Sequence, residues 1–281
     1  MAHESAPARP VAVVGWSALF IVAASGLVFV GVHYAGTLVP STVVAGVLAT
    51  AWTVAIPVGL TWVIGRRRFG LDWPGLGWVG GREGAVGFAR GFVVGAAPAI
   101  LAMTLTVPLG HAIWRTGGGT GGDYVRSVAG FGVILLPAAL WEEVVFRGLP
   151  LVLLARLFGA GPAMLTVSGL FALAHLFNPG VTPLAVVNIA LAGIFLSLVF
   201  FQWGGIWAST GAHLGWNLAL MALAAPVSGN IMRVAGLDYD PGGPTWLTGG
   251  EFGPEGGVLA TLTLGIAATM LRLRRKPEIQ A

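Results

Sequence analysis

Two adjacent glutamates, Glu142 and Glu143, sit in an apolar stretch with Arg147 close behind them. Beyond them, residues 157–232 contain no Asp, Glu, Lys or Arg, yet hold His175 and His213. A charge at the centre of a membrane helix costs roughly 2.5–3.5 kcal/mol. Ionisable groups in such surroundings therefore face a bundle interior or a wet cavity and serve chemistry or transport. On a helix, Glu143 and Arg147 are four residues apart and can form an ion pair. Glu142 is turned about 100° away from Glu143 and is left for another task. Burial disfavours a charged carboxylate and a nearby guanidinium favours it, a balance that can poise a glutamate as a general base. His213 and Asn217 share one helix face about 6 Å apart, and both can donate to one oxygen, as an oxyanion site requires. His175 comes from a third segment. Each piece alone also reads as structure: a core histidine, a helix ion pair, an asparagine bridging helices. Together they imply a hydrated pocket.

The elements that must position these groups are membrane helices. Hydrophobic residues make up 56% of the 281-residue chain and charged residues 9%, against about 25% charged in a soluble domain. Too few charges remain to cover a soluble surface, so the expected fold is an all-α membrane bundle around a polar cavity. A span needs about 20 apolar residues. On that ruler the chain divides into eight segments, near 11–32, 42–65, 88–110, 127–146, 162–178, 184–203, 206–225 and 256–272. The first is longer than a signal-peptide core and reads as a retained span. The fifth is short and ends at Asn178-Pro179, which suits a helix that stops inside the protein.

With eight spans both termini share one side. Placing that side in the cytoplasm puts Arg9, Arg66, Arg67, Arg68, Arg82, Arg90, Arg156, Arg272, Arg274, Arg275 and Lys276 inside, and only Arg115, Arg126 and Arg233 outside. The positive-inside rule favours that orientation, in a cell membrane crossed several times. Glu251 and Glu255 then fall in outer loops. Because the glutamate pair comes late in the fourth span, the cavity is expected nearer the cytoplasm. Basic residues at span ends suit lipid headgroups. They lack the interleaved aromatics of a nucleic-acid surface, so lipids are the expected partners and nucleic acid is not. Trp73 and Trp78 mark residues 69–87 as interfacial. The glycine-rich stretches 117–122 and 237–257 read as flexible connections. Gly87, Gly91 and Gly95 recur at a spacing that permits close helix contact. The chain has no cysteine, which removes thiolate metal sites and disulfides.

Glu-Glu-x-x-x-Arg (142–147), Phe-x-x-x-His (171–175) and His-x-x-x-Asn (213–217) follow one another on successive spans. The set resembles the CAAX-protease and bacteriocin-processing (CPBP, abortive-infection-like) family of glutamic intramembrane endopeptidases, over residues 125–225 of a single membrane domain flanked by 1–124 and 226–281. The resemblance implies that Glu142 activates water, that His175 orients it or moves its proton, and that His213 and Asn217 hold the oxyanion. Glu143, Arg147 and Phe171 would support them. It also implies a peptide or protein substrate associated with the membrane, and a metal-independent reaction with no cofactor. The rival ligand set Glu142, His175 and His213 would match a His₂Glu zinc site, but the helical His-Glu-x-x-His arrangement is absent. Two other functions fit the same residues: a proton-coupled transporter, for which no inverted repeat is visible, and a non-catalytic immunity or scaffold relative. The Gly, Ala and Val bias with almost no lysine suggests a GC-rich bacterial source, where prenylated substrates are not expected.

Overall fold

A computed structural model describes residues 10–274. Arg9, Arg275 and Lys276 of the charge pattern lie outside the described residues. The long helices are α1 (Pro10–Leu38), α2 (Thr42–Leu60, continued by a π-helical stretch Thr61–Arg68) and α3 (Gly81–Gly110). A strand β1 (Ile113–Thr116) precedes α4 (Gly121–Phe146), α5 (Leu149–Phe158) and α6 (Ala160–Ala174). Then come α7 (Pro183–Trp203), α8 (Ile206–Ala222), β2 (Leu237–Asp240), the single turn α9 (Thr245–Thr248) and α10 (Val258–Leu273).

Five helical runs are long and apolar enough to cross a membrane: Pro10–Leu38, Thr42–Arg68, Gly81–Gly110, Gly121–Phe158 and Pro183–Trp203. The other three expected spans are shorter helices of 15, 17 and 16 residues. Large apolar side chains such as Val11, Val22, Phe29, Val43, Val93 and Val133 point outward, as a hydrocarbon surrounding allows. This is an all-α multi-pass membrane protein.

Several boundaries depart from the sequence reading. The interfacial segment is shorter than 69–87, because α3 begins at Gly81. Its tryptophans pack into a cluster, with Trp78 edge-on to both Trp73 and Trp207. The glycine-rich connections are not free linkers. β1 and β2 pair antiparallel, Ile113 opposite Asp240. Gly117 N–H donates to the Gly236 carbonyl at 3.1 Å and Gly236 N–H to Gly118 at 2.9 Å. Glycine there admits the positive φ of 125° at Gly119 and 81° at Gly236.

The closest helix contact joins α3 to α8. A Cβ on Gly91 or Gly95 would run into the carbonyl oxygens of Ala208 and Ala212. On the other side, Gly211 and Gly215 press on the carbonyls of Phe88 and Phe92. Backbones this close need small residues on both helices. The Gly-x-x-x-Gly spacing thus fixes α8, and with it His213 and Asn217 on a different face from Gly211 and Gly215.

Candidate active site

α4 carries the glutamate pair one turn after Pro137 and ends at Phe146. Arg147 N–H and Gly148 N–H both donate to the Glu143 carbonyl, at 2.7 and 2.9 Å. The tight turn needs glycine at 148, where a Cβ would strike the Val144 carbonyl. The chain then resumes as α5, so the expected fourth span continues twelve residues beyond its predicted end at residue 146 and runs Gly121–Phe158. Glu142 consequently lies near the middle of that run, not late in it.

The turn at Arg147-Gly148 folds Arg147 inward. Arg147 and Glu143 are fully buried, with Arg147 Nη1 3.1 Å from Glu143 Oε1. The guanidinium lies 4.1 Å from the centre of the Phe171 ring, a favourable cation–π placement. Phe171 stands 4.5 Å from the His175 ring and 6.0 Å from that of His213. This one aromatic ring therefore walls in the ion pair and both imidazoles.

His175 follows the last residue of α6 as its C-cap. Its Nδ1 lies 2.7 Å from the Phe171 carbonyl. A carbonyl only accepts, so Nδ1 carries the proton. His213 points from α8, and its Nδ1 lies 2.9 Å from Glu143 Oε1. Because that carboxylate is paired with Arg147, it too acts as acceptor. Both imidazoles therefore present Nε2 in the same direction, each 3.8 Å from Glu142 Oε2. Those gaps are wider than a hydrogen bond. Four of the sequence-selected groups thus converge from three elements: Glu142 and Glu143 from α4, His175 after α6 and His213 from α8. Glu143 does more than the sequence suggested, since it both pairs with Arg147 and fixes the tautomer of His213.

Among the described residues Asn217 has no hydrogen-bond partner, but it lines the same cavity as Phe171, His175 and His213. That cavity leaves ≈ 30 Å³ for water-sized guests, room for about two water molecules. Among the described residues no group of three His, Asp or Glu side chains is placed to hold a metal ion.

Sequence reasoning missed Glu255 and Ser228, which also line this cavity. Glu255 Oε1 accepts from the Trp216 indole N–H at 3.2 Å. Its Oε2 accepts from Ser228 N–H and, at 3.0 Å, from the Ser228 hydroxyl. Glu255 lies in a short turn before α10, outside the spanning segments, and burial pushes its carboxyl above the ordinary range. A lone acidic residue in a glycine-rich loop gave no signal of this inward turn. The cavity therefore reaches the end of the bundle where β1 and β2 lie, opposite Arg66–Arg68.

Residues 125–219 match the family model described as Type II CAAX prenyl endopeptidase Rce1-like. The match covers about a third of the chain and marks a similarity to that family. It contains every sequence-selected site residue, from Glu142 to Asn217, and stops before Ser228 and Glu255. The family so described is one of endopeptidases. No curated protein and no solved structure matches the chain.

Proposed function

We propose that the protein is an intramembrane endopeptidase that hydrolyses peptide bonds of membrane-associated peptides or proteins with a water activated by Glu142. The observation that carries this reading is the convergence of two imidazole Nε2 atoms on Glu142 Oε2, each at 3.8 Å. Direct hydrogen bonds at that distance are too long, so the three atoms suit a shared water. Glu142 takes the proton from that water as its oxygen adds to the scissile carbonyl carbon. Two imidazoles of fixed tautomer orient the attack. The negative oxygen that develops is met by Asn217 and by His213. With Nδ1–H held by Glu143, His213 donates from Nε2 only when both ring nitrogens carry a proton. Glu143, Arg147 and Phe171 hold the rings in place and stay out of the chemistry.

The cavity as it stands admits water and not a peptide, so substrate must displace a wall. The strap of residues 223–257 is the wall at the loop end. With the arginine-rich ends inside, substrates would meet the site from the outer half of the membrane. The test is cleavage of a membrane-anchored fluorogenic peptide by the reconstituted protein. Glu142→Gln should lower kcat by at least ~10³-fold while leaving the melting temperature unchanged, a loss of the size seen for machinery residues. A fully active Glu142→Gln would sink the assignment, and a Glu143→Gln that loses stability yet keeps far more of its kcat than Glu142→Gln would support it. Persistence of cleavage in a strong chelator would remove the zinc alternative.

A further inference from the structure

Peptide hydrolysis moves two protons: one leaves the attacking water, and one must reach the departing nitrogen, because an amide anion is too basic to leave. His175 serves the first task, and His213 is taken up by the developing oxyanion. Each spends its Nδ1–H on a fixed acceptor, Phe171 or Glu143, and each directs Nε2 at Glu142. Among the described residues, the one other ionisable side chain lining the cavity is Glu255. Resting on the peptidase reading above, we propose that Glu255 is the proton donor to the leaving amine, the acid that answers the base Glu142.

The environments of the two carboxyl groups differ in the way such a division of labour requires. Glu142 faces two imidazoles. Glu255 forms no ion pair among the described residues and meets only neutral donors, the Trp216 indole and the Ser228 amide and hydroxyl. His175 and His213 are the other titratable groups lining its cavity, after α6 and on α8, and Glu142 on α4 stands 3.8 Å from both of their Nε2 atoms. Burial with no cation in contact keeps a carboxyl protonated further up the pH scale than usual. A Ser228 hydroxyl at 3.0 Å can accept that proton's hydrogen bond as readily as donate.

The turn is built to hold this group still. Asn188 on α7 donates to the carbonyls of Glu255 and Gly257, at 2.8 and 2.9 Å, and accepts from Thr261 at 2.6 Å. Ser228 has φ of 48°, a conformation disfavoured for a residue with a side chain. It is pinned by Asn178, whose amide donates to the Ser228 carbonyl at 3.0 Å, and by Gly229 N–H on Phe252 at 2.8 Å. Strain maintained by surrounding contacts is a feature of working sites. In the reaction, Glu142 gains the water proton and the C–O bond forms. The C–N bond then breaks as the nitrogen takes the Glu255 proton. The products are a carboxylic acid and an amine, and the proton on Glu142 returns to Glu255 through cavity water, so one water is consumed.

The experiment compares a membrane-anchored peptide with an ester of identical sequence at the scissile bond, using full-length protein in liposomes. An alkoxide leaves without prior protonation far more easily than an amine. Glu255→Gln should lower kcat on the amide by ~10²-fold or more, with KM within ~3-fold and ester cleavage within ~5-fold of wild type. Glu255→Asp should recover part of the amide rate, and the alkaline limb of the amide pH profile should disappear in Glu255→Gln. Equal losses on amide and ester, or no loss on either, would overturn the proton-donor role and leave the peptidase reading intact. Wild-type protein that cleaves neither substrate would overturn both.

Discussion

Replacing Arg147 with methionine strands the Glu143 carboxylate, and the cost can be worked from the contacts. Both side chains are fully buried, with one N···O contact of 3.1 Å and the guanidinium 4.1 Å above Phe171. Removing one partner of a buried pair costs about 3–5 kcal/mol, mostly from the charge left behind. Loss of a desolvated cation–π contact adds about 2 kcal/mol, while methionine refills part of the volume. A total of about 5 kcal/mol compares with the 5–15 kcal/mol that holds an ordinary domain folded. The double variant Glu143→Gln/Arg147→Met removes both charges and keeps an amide oxygen to accept the His213 Nδ1–H. Replacing a buried pair by neutral groups is often near neutral, so the double variant should lie within about 2 kcal/mol of wild type. Thermal unfolding in lipid nanodiscs, followed by tryptophan fluorescence, measures both. A single variant within about 1 kcal/mol of wild type would refute the reasoning, as would a double variant no more stable than Arg147→Met. The single variant should also lose cleavage, since a stranded carboxylate neutralises by binding a proton and no longer fixes the His213 tautomer.

Asn217→Ala should lower kcat by ~10²–10³-fold with little change in KM if it meets the oxyanion; an equal rise in KM with unchanged kcat would mean it only binds substrate. Gly95→Val forces a side chain into the Ala212 carbonyl and should destabilise by about 3 kcal/mol or more, whereas Gly26→Ala on α1, where a Cβ meets open space, should be silent in the same melting assay. Burial raises the Glu255 carboxyl, so the folded protein binds that proton more tightly than the unfolded chain. Its contribution to stability is therefore full below the ordinary carboxylate range and is lost as pH rises through the raised value; Glu255→Gln should flatten that part of the stability–pH curve, and an unchanged curve would count against it.

The glutamate pair, the i,i+4 partner Arg147 and the His213–Asn217 face were legible because each depends on helical spacing alone. Helix existence was legible for the same reason: apolar runs with few charges have no other stable form in lipid. Boundaries were not. The turn at Arg147-Gly148 is apolar on both sides, so no hydropathy signal marked where α4 ends and α5 begins. The Gly87, Gly91 and Gly95 repeat announced close packing but not its partner, because a helix face can be read locally and its neighbour cannot. The strand pair β1–β2 joins glycine-rich stretches more than a hundred residues apart, and neither carries strand periodicity long enough to read.

Taken by itself, the sequence determined the solvent this chain folds in, the helical form that solvent imposes, and the few ionisable groups that must hide together. These follow from the free energy of placing backbone and charge in hydrocarbon, which is additive along the chain. Tertiary structure decided the partners. It turned Glu143 toward His213 as well as Arg147, stacked Phe171 among all three, and swung Glu255 from a glycine-rich loop into the wall of the cavity. Hydrogen bonds between residues far apart in sequence depend on how helices pack, and that packing is set by shape at contacts such as α3 on α8, which no single stretch of residues encodes.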